Sequence, residues 1–315
     1  MMAHAFIVLN PVAGDSGPLV GRSLRRHFAQ AGWTWELYET TGEERIADVM
    51  DEAVRDGGQA VDLFVAAGGD GTVSAVAGGV AEKGVPLGIV PVGTADTFAR
   101  ELGLPVAPPE AMELLTGDHA IREVDAMAVG EGFAVLNVSV GLSGLMMRDT
   151  ARVDKRRFGR AAYVWTGFRK LFGYQPHRFT ITVDGMTRVI RASEVAVVNS
   201  GALGDPSIRW SPKVALDDGR IDVCIIRAKT VADYLGVAVS VVLRRHSDEP
   251  AIRHVIAEDQ VVVDAQPALP VQADGEFLGE PPVEVRVVPG AVRVVVPVSG
   301  DGAPGVIRER LFGEG

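Results

Sequence analysis

The chain has 315 residues, 47% of them hydrophobic and 23% charged, enough for two domains with separate cores and unlike a disordered protein. Its net charge of −10 argues against general nucleic-acid binding, and a single cysteine, Cys224, excludes an internal disulfide. The longest apolar run, Tyr234 to Leu243, is about half of a bilayer span, and six scattered histidines disfavour a zinc site.

In chain order, the first 120 residues alternate between two periods. Apolar runs at Ala5–Leu9, Trp33–Tyr38, Val61–Ala66 and Leu87–Val90 read as short strands. Between them, Leu19, Leu24 and Phe28 share one helical face, as do Ile46, Val49, Met50 and Ala53. This alternation predicts βαβ units and a parallel sheet, whose ligands bind beyond the carboxyl ends of the strands.

From about Val124 the pattern becomes β-rich, with runs at Val124–Val129, Phe133–Val140, Arg178–Val183, Val195–Asn199, Ile221–Ile226, Gln260–Val263, Val283–Val288 and Ala291–Val296. These predict a β-sandwich or curled sheet, interrupted by helices near 161–171 and 231–244. The expected domains are 1–123 and 124–300. The tail 301–315 holds a short helical pattern at 306–312 and is expected to pack back on the first domain. Cys224 lies in an apolar run and reads as a buried, inert thiol. The N-terminus lacks a charged segment ahead of a long apolar one, so a cytoplasmic protein without a signal peptide is expected.

Three segments follow predicted strands: Asn10 to Gly17, Gly68-Gly69-Asp70-Gly71-Thr72, and Pro91 to Arg100. Glycines let a backbone approach polyphosphate closely, and helix-start N–H groups favour anions. Asp70 inside such a loop points to bound Mg²⁺ or to a base acting on an attacking hydroxyl. The plainer reading of each is an ordinary strand-to-helix turn. No Gly-Lys-Ser/Thr occurs, the third glycine of a dinucleotide fingerprint is missing, and protein-kinase motifs are absent.

Gly68 to Thr72, with Asn10-Pro11 before and Gly93-Thr94 after, resembles the diacylglycerol kinase catalytic-domain family, which includes bacterial lipid kinases, ceramide kinases and sphingosine kinases. Two later segments match in order. Ser211-Pro212 through Asp217-Asp218-Gly219 resembles the segment holding a structural Mg²⁺ in bacterial members, and Asp274-Gly275-Glu276 resembles the acidic catalytic motif.

The resemblance implies an α/β nucleotide-binding domain, related to phosphofructokinase and NAD kinase, packed on a C-terminal β-sandwich. It implies ATP contacts by Asn10, Thr40, Gly68, Gly69, Asp70, Gly71, Thr72, Gly93 and Thr94. Asp218 would bind Mg²⁺ with backbone oxygens near Ala215 and Arg220. Glu276 would be the general base, with Asp70 and Asp274 organising metal and water, and Asp70 competes for the base role. Taken alone, Asp274-Gly275 also suits a surface β-turn. Two departures stand out: Ser74-Ala75 replaces the usual Asn-Glu, and Asp96 replaces the usual Asn, adding negative charge beside the nucleotide unless metal or Arg100 offsets it.

The expected activity is transfer of the ATP γ-phosphate to a hydroxyl of a membrane lipid such as diacylglycerol. The alternatives are an NAD kinase or other soluble-substrate kinase, and a nucleotide- or lipid-binding regulator without catalysis. Between Arg148 and Arg178, nine Arg/Lys against two Asp give a net of +7, interleaved with aromatics. That composition suits peripheral contact with an anionic inner membrane face, or a solvated basic face over a core. Oligomeric state is left open, a homodimer included.

Overall fold

The structure is a computed structural model and describes residues 2–14, 17–42, 44–56, 60–150, 175–205, 208–210, 214–228, 233, 236, 251–298 and 306–307. The expected helix at 161–171, nearly all of that at 231–244, most of the basic stretch 148–178, and Ser211-Pro212 lie outside these residues. The chain forms two compact units, Met1–Ala126 with Gly204–Pro206 and Pro289–Gly315, and Met127–Leu203 with Ser207–Val288.

The first unit alternates strand and helix: β1 (His4–Leu9), α1 (Gly17–Gln30), β2 (Thr34–Glu39), α2 (Ile46–Asp56), β3 (Leu63–Gly68), α3 (Asp70–Val80), β4 (Leu87–Pro91), α4 (Thr97–Glu101), α5 (Pro108–Thr116) and β5 (Ala120–Val129). Strands β1 to β4 are parallel, in the order β2-β1-β3-β4. Every residue of β3 and β4 is buried, the state of inner strands covered on both faces. Leu24 and Phe28, on the predicted face of α1, pack with Ile7, Leu9, Val65 and Leu115.

The second unit is an antiparallel sandwich. After β6 (Gly132–Ala134) come β7 (Asn137–Gly141), α6 (Leu142–Thr150), β8 (His177–Val183), β9 (Met186–Ala192), β10 (Glu194–Val198), the short pair β11 (Ala202–Asp205) and β12 (Ile208–Arg209), β13 (Ile221–Ile226), β14 (Ile252–Ala257), β15 (Gln260–Gln266), β16 (Val271–Ala273) and β17 (Glu276–Gly279). One sheet runs β14-β13-β10-β7-β16-β17, and the other pairs β15, β8 and β9. Alternate residues from both sheets fill the core: Val138 and Val140, Val195 and Val197, Phe179 and Ile181, Val261 and Val263. Cys224 lies fully buried, its thiol pushed well up by burial and by the charge of Asp222.

Two short β-runs expected at 283–288 and 291–296 are one strand, β18 (Val283–Val296), which continues through Pro289-Gly290. Its residues up to Val288 belong to the sandwich unit, while Val294 pairs in parallel with Leu87 of β4. A final bridge, β19 (Val306–Ile307), pairs antiparallel with β5 in the first unit; the rest of the helical pattern expected at 306–312 lies outside the described residues.

Candidate functional site: phosphate-type turns and an acidic hairpin

Parallel pairing puts the carboxyl ends of β1 to β4 on one edge of the first unit, so Asn10, Thr40, Gly68–Thr72 and Gly93–Thr94 all follow strands there. These turns are laced together. Asn10 Nδ2 donates to Thr72 Oγ1 at 3.3 Å, and Asn10 Oδ1 accepts the Val12 N–H at 3.1 Å. Thr40 N–H donates to Leu9 O, and Val92 N–H donates to Gly68 O. A Cβ on Gly93 would lie 2.7 Å from the Gly69 Cα, so these two turns touch backbone to backbone and exclude any side chain.

Asp70 opens α3. The residue before it, Gly69, is extended and, lacking a side chain, provides no side-chain cap to the first turn of the helix. Asp70 Oδ1 accepts the Phe98 N–H at 3.2 Å, tying the third turn to the fourth. Asp96 adopts a left-handed conformation (φ 47°), and its Oδ1 accepts the Gly93 N–H at 2.9 Å. Burial raises the Asp96 carboxyl pKa; the Gly93 N–H opposes this, the Asp70 charge adds to it, and Arg100 works against it. The carboxylate anticipated at this position is therefore turned inward onto the Gly93 N–H.

In the sandwich unit, Asp274-Gly275 forms the two-residue turn of the β16–β17 hairpin, with Ala273 paired to Glu276 and φ of 47° and 88° at the turn. Both Asp274 oxygens are engaged. Oδ2 accepts the Val135 N–H at 2.8 Å, and Oδ1 accepts those of Leu136 and Asn137 at 3.0 and 2.8 Å. Asp274 thus clamps the strand entry through three backbone N–H groups. Glu276, the first residue of β17, is exposed, and Phe277 and Leu278 beside it are 53% and 46% exposed.

Behind the turn lies a polar group that the sequence reading missed: Gln272, Ser139, Ser143 and Glu194, with Glu194 only 5% exposed. Its trace in the sequence is a carboxylate opening the apolar run Glu194–Val198 and a serine between Val138 and Val140. Period-2 reading assigns such residues to a solvated face, but this face is covered.

Asp218 is exposed at a bend, its Oδ1 accepting the Arg220 N–H at 3.1 Å. Burial raises the Asp222 carboxyl pKa, and the Asp218 charge raises it further. One exposed carboxylate with a second close enough to repel it is an oxygen donor set of the kind a hard cation takes, short of a complete shell. Among the described residues no three His, Cys, Asp or Glu side chains cluster as a complete cage. No described helix is long and apolar enough to cross a membrane.

Known proteins resemble the chain along nearly its whole length. Residues 4–129 match the diacylglycerol kinase catalytic domain, and residues 136–296 match the YegS C-terminal NAD kinase beta sandwich-like domain. A diacylglycerol kinase of Bacillus subtilis (strain 168) is 27% identical, covering 94% of this chain and 97% of its own. One from Staphylococcus saprophyticus is 28% identical, covering 90% and 92%. Among solved structures, a diacylglycerol kinase from Bacillus anthracis str. Sterne superposes with a TM-score of 0.74 at 25% identity, covering 94% of this chain and 97% of its own. With its turns, its acidic hairpin and both domain matches in the same order, the chain belongs to the diacylglycerol kinase catalytic-domain family, in the branch with a YegS-type C-terminal sandwich.

Proposed function

We propose that the protein transfers the γ-phosphate of ATP to a hydroxyl of a membrane lipid such as diacylglycerol. The observation that carries this is the lacing of three glycine-rich turns at one strand edge, with Asp70 at the open start of α3. Phosphoryl transfer asks a protein mainly to position reactants and offset charge. The α3 N-terminus and the Gly68–Thr72 backbone offer donors to phosphate oxygens, while Asn10, Thr40, Gly93 and Thr94 border the same edge.

Asp70 is suited to hold the nucleotide's Mg²⁺ and Asp218 a structural one; when bound, the ion offsets phosphate charge. Glu276 is exposed on a turn whose shape is fixed by the Asp274 clamp, and it accepts the proton of the lipid hydroxyl as that oxygen forms its bond to phosphorus and ADP leaves. Exposed Phe277 and Leu278 next to this carboxylate favour an apolar acceptor over a soluble one.

The test is incubation of purified protein with labelled ATP, Mg²⁺ and a panel of diacylglycerol, phosphatidylglycerol, ceramide, sphingoid bases and NAD, with chromatography of the products. Label in a lipid supports the reading. Label in NAD alone, or in nothing, refutes it.

A further inference from the structure

We propose that Glu194 is a positioning residue which, through Ser143, Ser139 and Gln272, sets the conformation of the hairpin turn carrying Glu276. Each hydrogen bond along the chain constrains the direction of the next. Gly275 N–H donates to Gln272 Oε1 at 2.8 Å, which places the amide nitrogen of Gln272 on the other side. Gln272 Nε2 spends its two hydrogens on Asn137 Oδ1 and Ser139 Oγ, both at 2.6 Å. Ser139 Oγ is then an acceptor from Gln272, and its own hydrogen is left for Ser143 Oγ, 2.6 Å away, and for the Glu194 carboxylate, which it also meets. Ser143 in turn donates its hydroxyl hydrogen to Glu194 Oε1 and its backbone N–H to Oε2 at 3.0 Å. The chain of donors runs one way and ends on a carboxylate.

An ionised Glu194 closes this relay with every donor matched. A protonated Glu194 must itself donate to Ser143. The Ser143 hydroxyl then turns toward Ser139, which receives hydrogens from both neighbours, and the Ser139 hydrogen is left to the carboxyl alone, which has itself become a donor. The bonds of the group must rearrange, and the change is passed along the relay to its far end, the Gln272–Gly275 bond.

Burial is the largest influence on the Glu194 carboxyl and, against the opposing bonds from Ser143, Ser139 and Leu142, pushes it up to about 7, so both forms are populated near neutrality. Among the described residues, the elements packed against it bring no charge near it. β7 and the first turn of α6 bear no ionisable side chain; on β13 the residue opposite Glu194 is Ile226, while Asp222 and Cys224 pair with Val198 and Ala196.

The coupling of Glu194 to the turn stands on geometry alone, while its consequence for turnover rests on the proposed role of Glu276. Both are tested on the full chain by following the Gly275 amide resonance as pH is raised, alongside lipid phosphorylation. In the wild type, the Gly275 resonance shifts with a midpoint near the Glu194 value of about 7, and kcat falls below that midpoint while KM for ATP stays level. Glu194→Gln, an isosteric change, and Ser143→Ala, which cuts the relay with little loss of volume, each abolish the Gly275 titration and flatten the kcat profile through that range.

A Gly275 resonance that ignores pH in the wild type, or titrates equally in both variants, overturns the relay. A relay that titrates as stated while kcat profiles of wild type and Glu194→Gln coincide overturns the positioning role. If Gly275 titrates as stated and no lipid is ever phosphorylated, the relay stands and the kinase reading falls.

Discussion

Asp274→Ala removes the acceptor of three backbone donors at once, and the sandwich contains its own control. Asp184-Gly185, the turn between β8 and β9, repeats the device: φ of 46° and 81°, with Asp184 accepting the N–H groups of Glu258, Asp259 and Gln260 at 2.9 to 3.0 Å. The two clamps differ in burial. The Asp274 bonds are partly buried and one serves fully buried Val135, whereas those of Asp184 are exposed and compete with water. Hydrogen bonds to a charged group contribute ~1.5–3 kcal/mol when shielded, and a left-handed alanine costs ~1 kcal/mol more, so with non-additivity Asp274→Ala should destabilise by roughly 3–5 kcal/mol. Solvent screening reduces the same change at Asp184 to about 1–2 kcal/mol.

Urea unfolding read by circular dichroism measures both. At a temperature where both variants are folded, Asp274→Ala should also lose most of its kcat, because the turn bearing Glu276 is freed, while Asp184→Ala keeps it. A cost under about 1 kcal/mol for Asp274→Ala, or equal kcat in the two variants, would refute the reasoning. A pH dependence follows for Asp184. Burial pushes its carboxyl up, but the amides of Glu258, Gln260 and Asp259 outweigh this and leave it below the ordinary value. Its stabilisation is therefore present above an unfolded pKa of ~3.9 and fades as pH falls through the lower folded one, so the deficit of Asp184→Asn should close on acidification.

Glu276→Gln and Asp70→Asn should each leave under about 1% of lipid phosphorylation, the share expected of a lost base or metal-holding carboxylate, and near-normal turnover in either would reject that residue's role. Gly93→Ala forces a methyl to within 2.7 Å of the Gly69 Cα, so ATP binding measured by calorimetry should weaken by about tenfold or more while the sandwich unit keeps its urea midpoint; unchanged affinity would show that the two turns do not need their close approach. Asp96→Asn retains the acceptor for Gly93 N–H and removes a charge facing Asp70, so KM for ATP should fall several-fold; a rise would mean that the aspartate serves the nucleotide directly.

The parallel half was legible because its signals are local. Apolar runs fix β1, β3 and β4, and glycine-rich turns fall at their ends, so the meeting of Asn10, Thr72, Asp70 and Phe98 follows from topology alone. What sequence could not show depends on covering. Ser139 and Glu194 stand at alternate positions that would face water on an open sheet, and only the strand order β10-β7-β16 brings Gln272 next to them. Asp274 was legible as part of a motif and as a turn former, but its three amide partners come from residues nearly 140 positions earlier, beyond any local pattern. Pro289-Gly290 read as a break because both residues disfavour strands, yet the strand runs on, with Gly290 N–H donating to Asp125 Oδ1 at 2.8 Å.

The course of β18 bears on how the protein is made. The sheet that carries the glycine-rich turns gains its last parallel partner, Val294 against Leu87, from residues translated after the whole sandwich. A ribosome that has released only the first 126 residues exposes β4 with one edge bare, a surface prone to pairing with other chains. Truncations ending before Val296 should therefore give insoluble nucleotide-type halves, whereas splicing residues 289–296 behind the first 126 offers that half the strand it lacks.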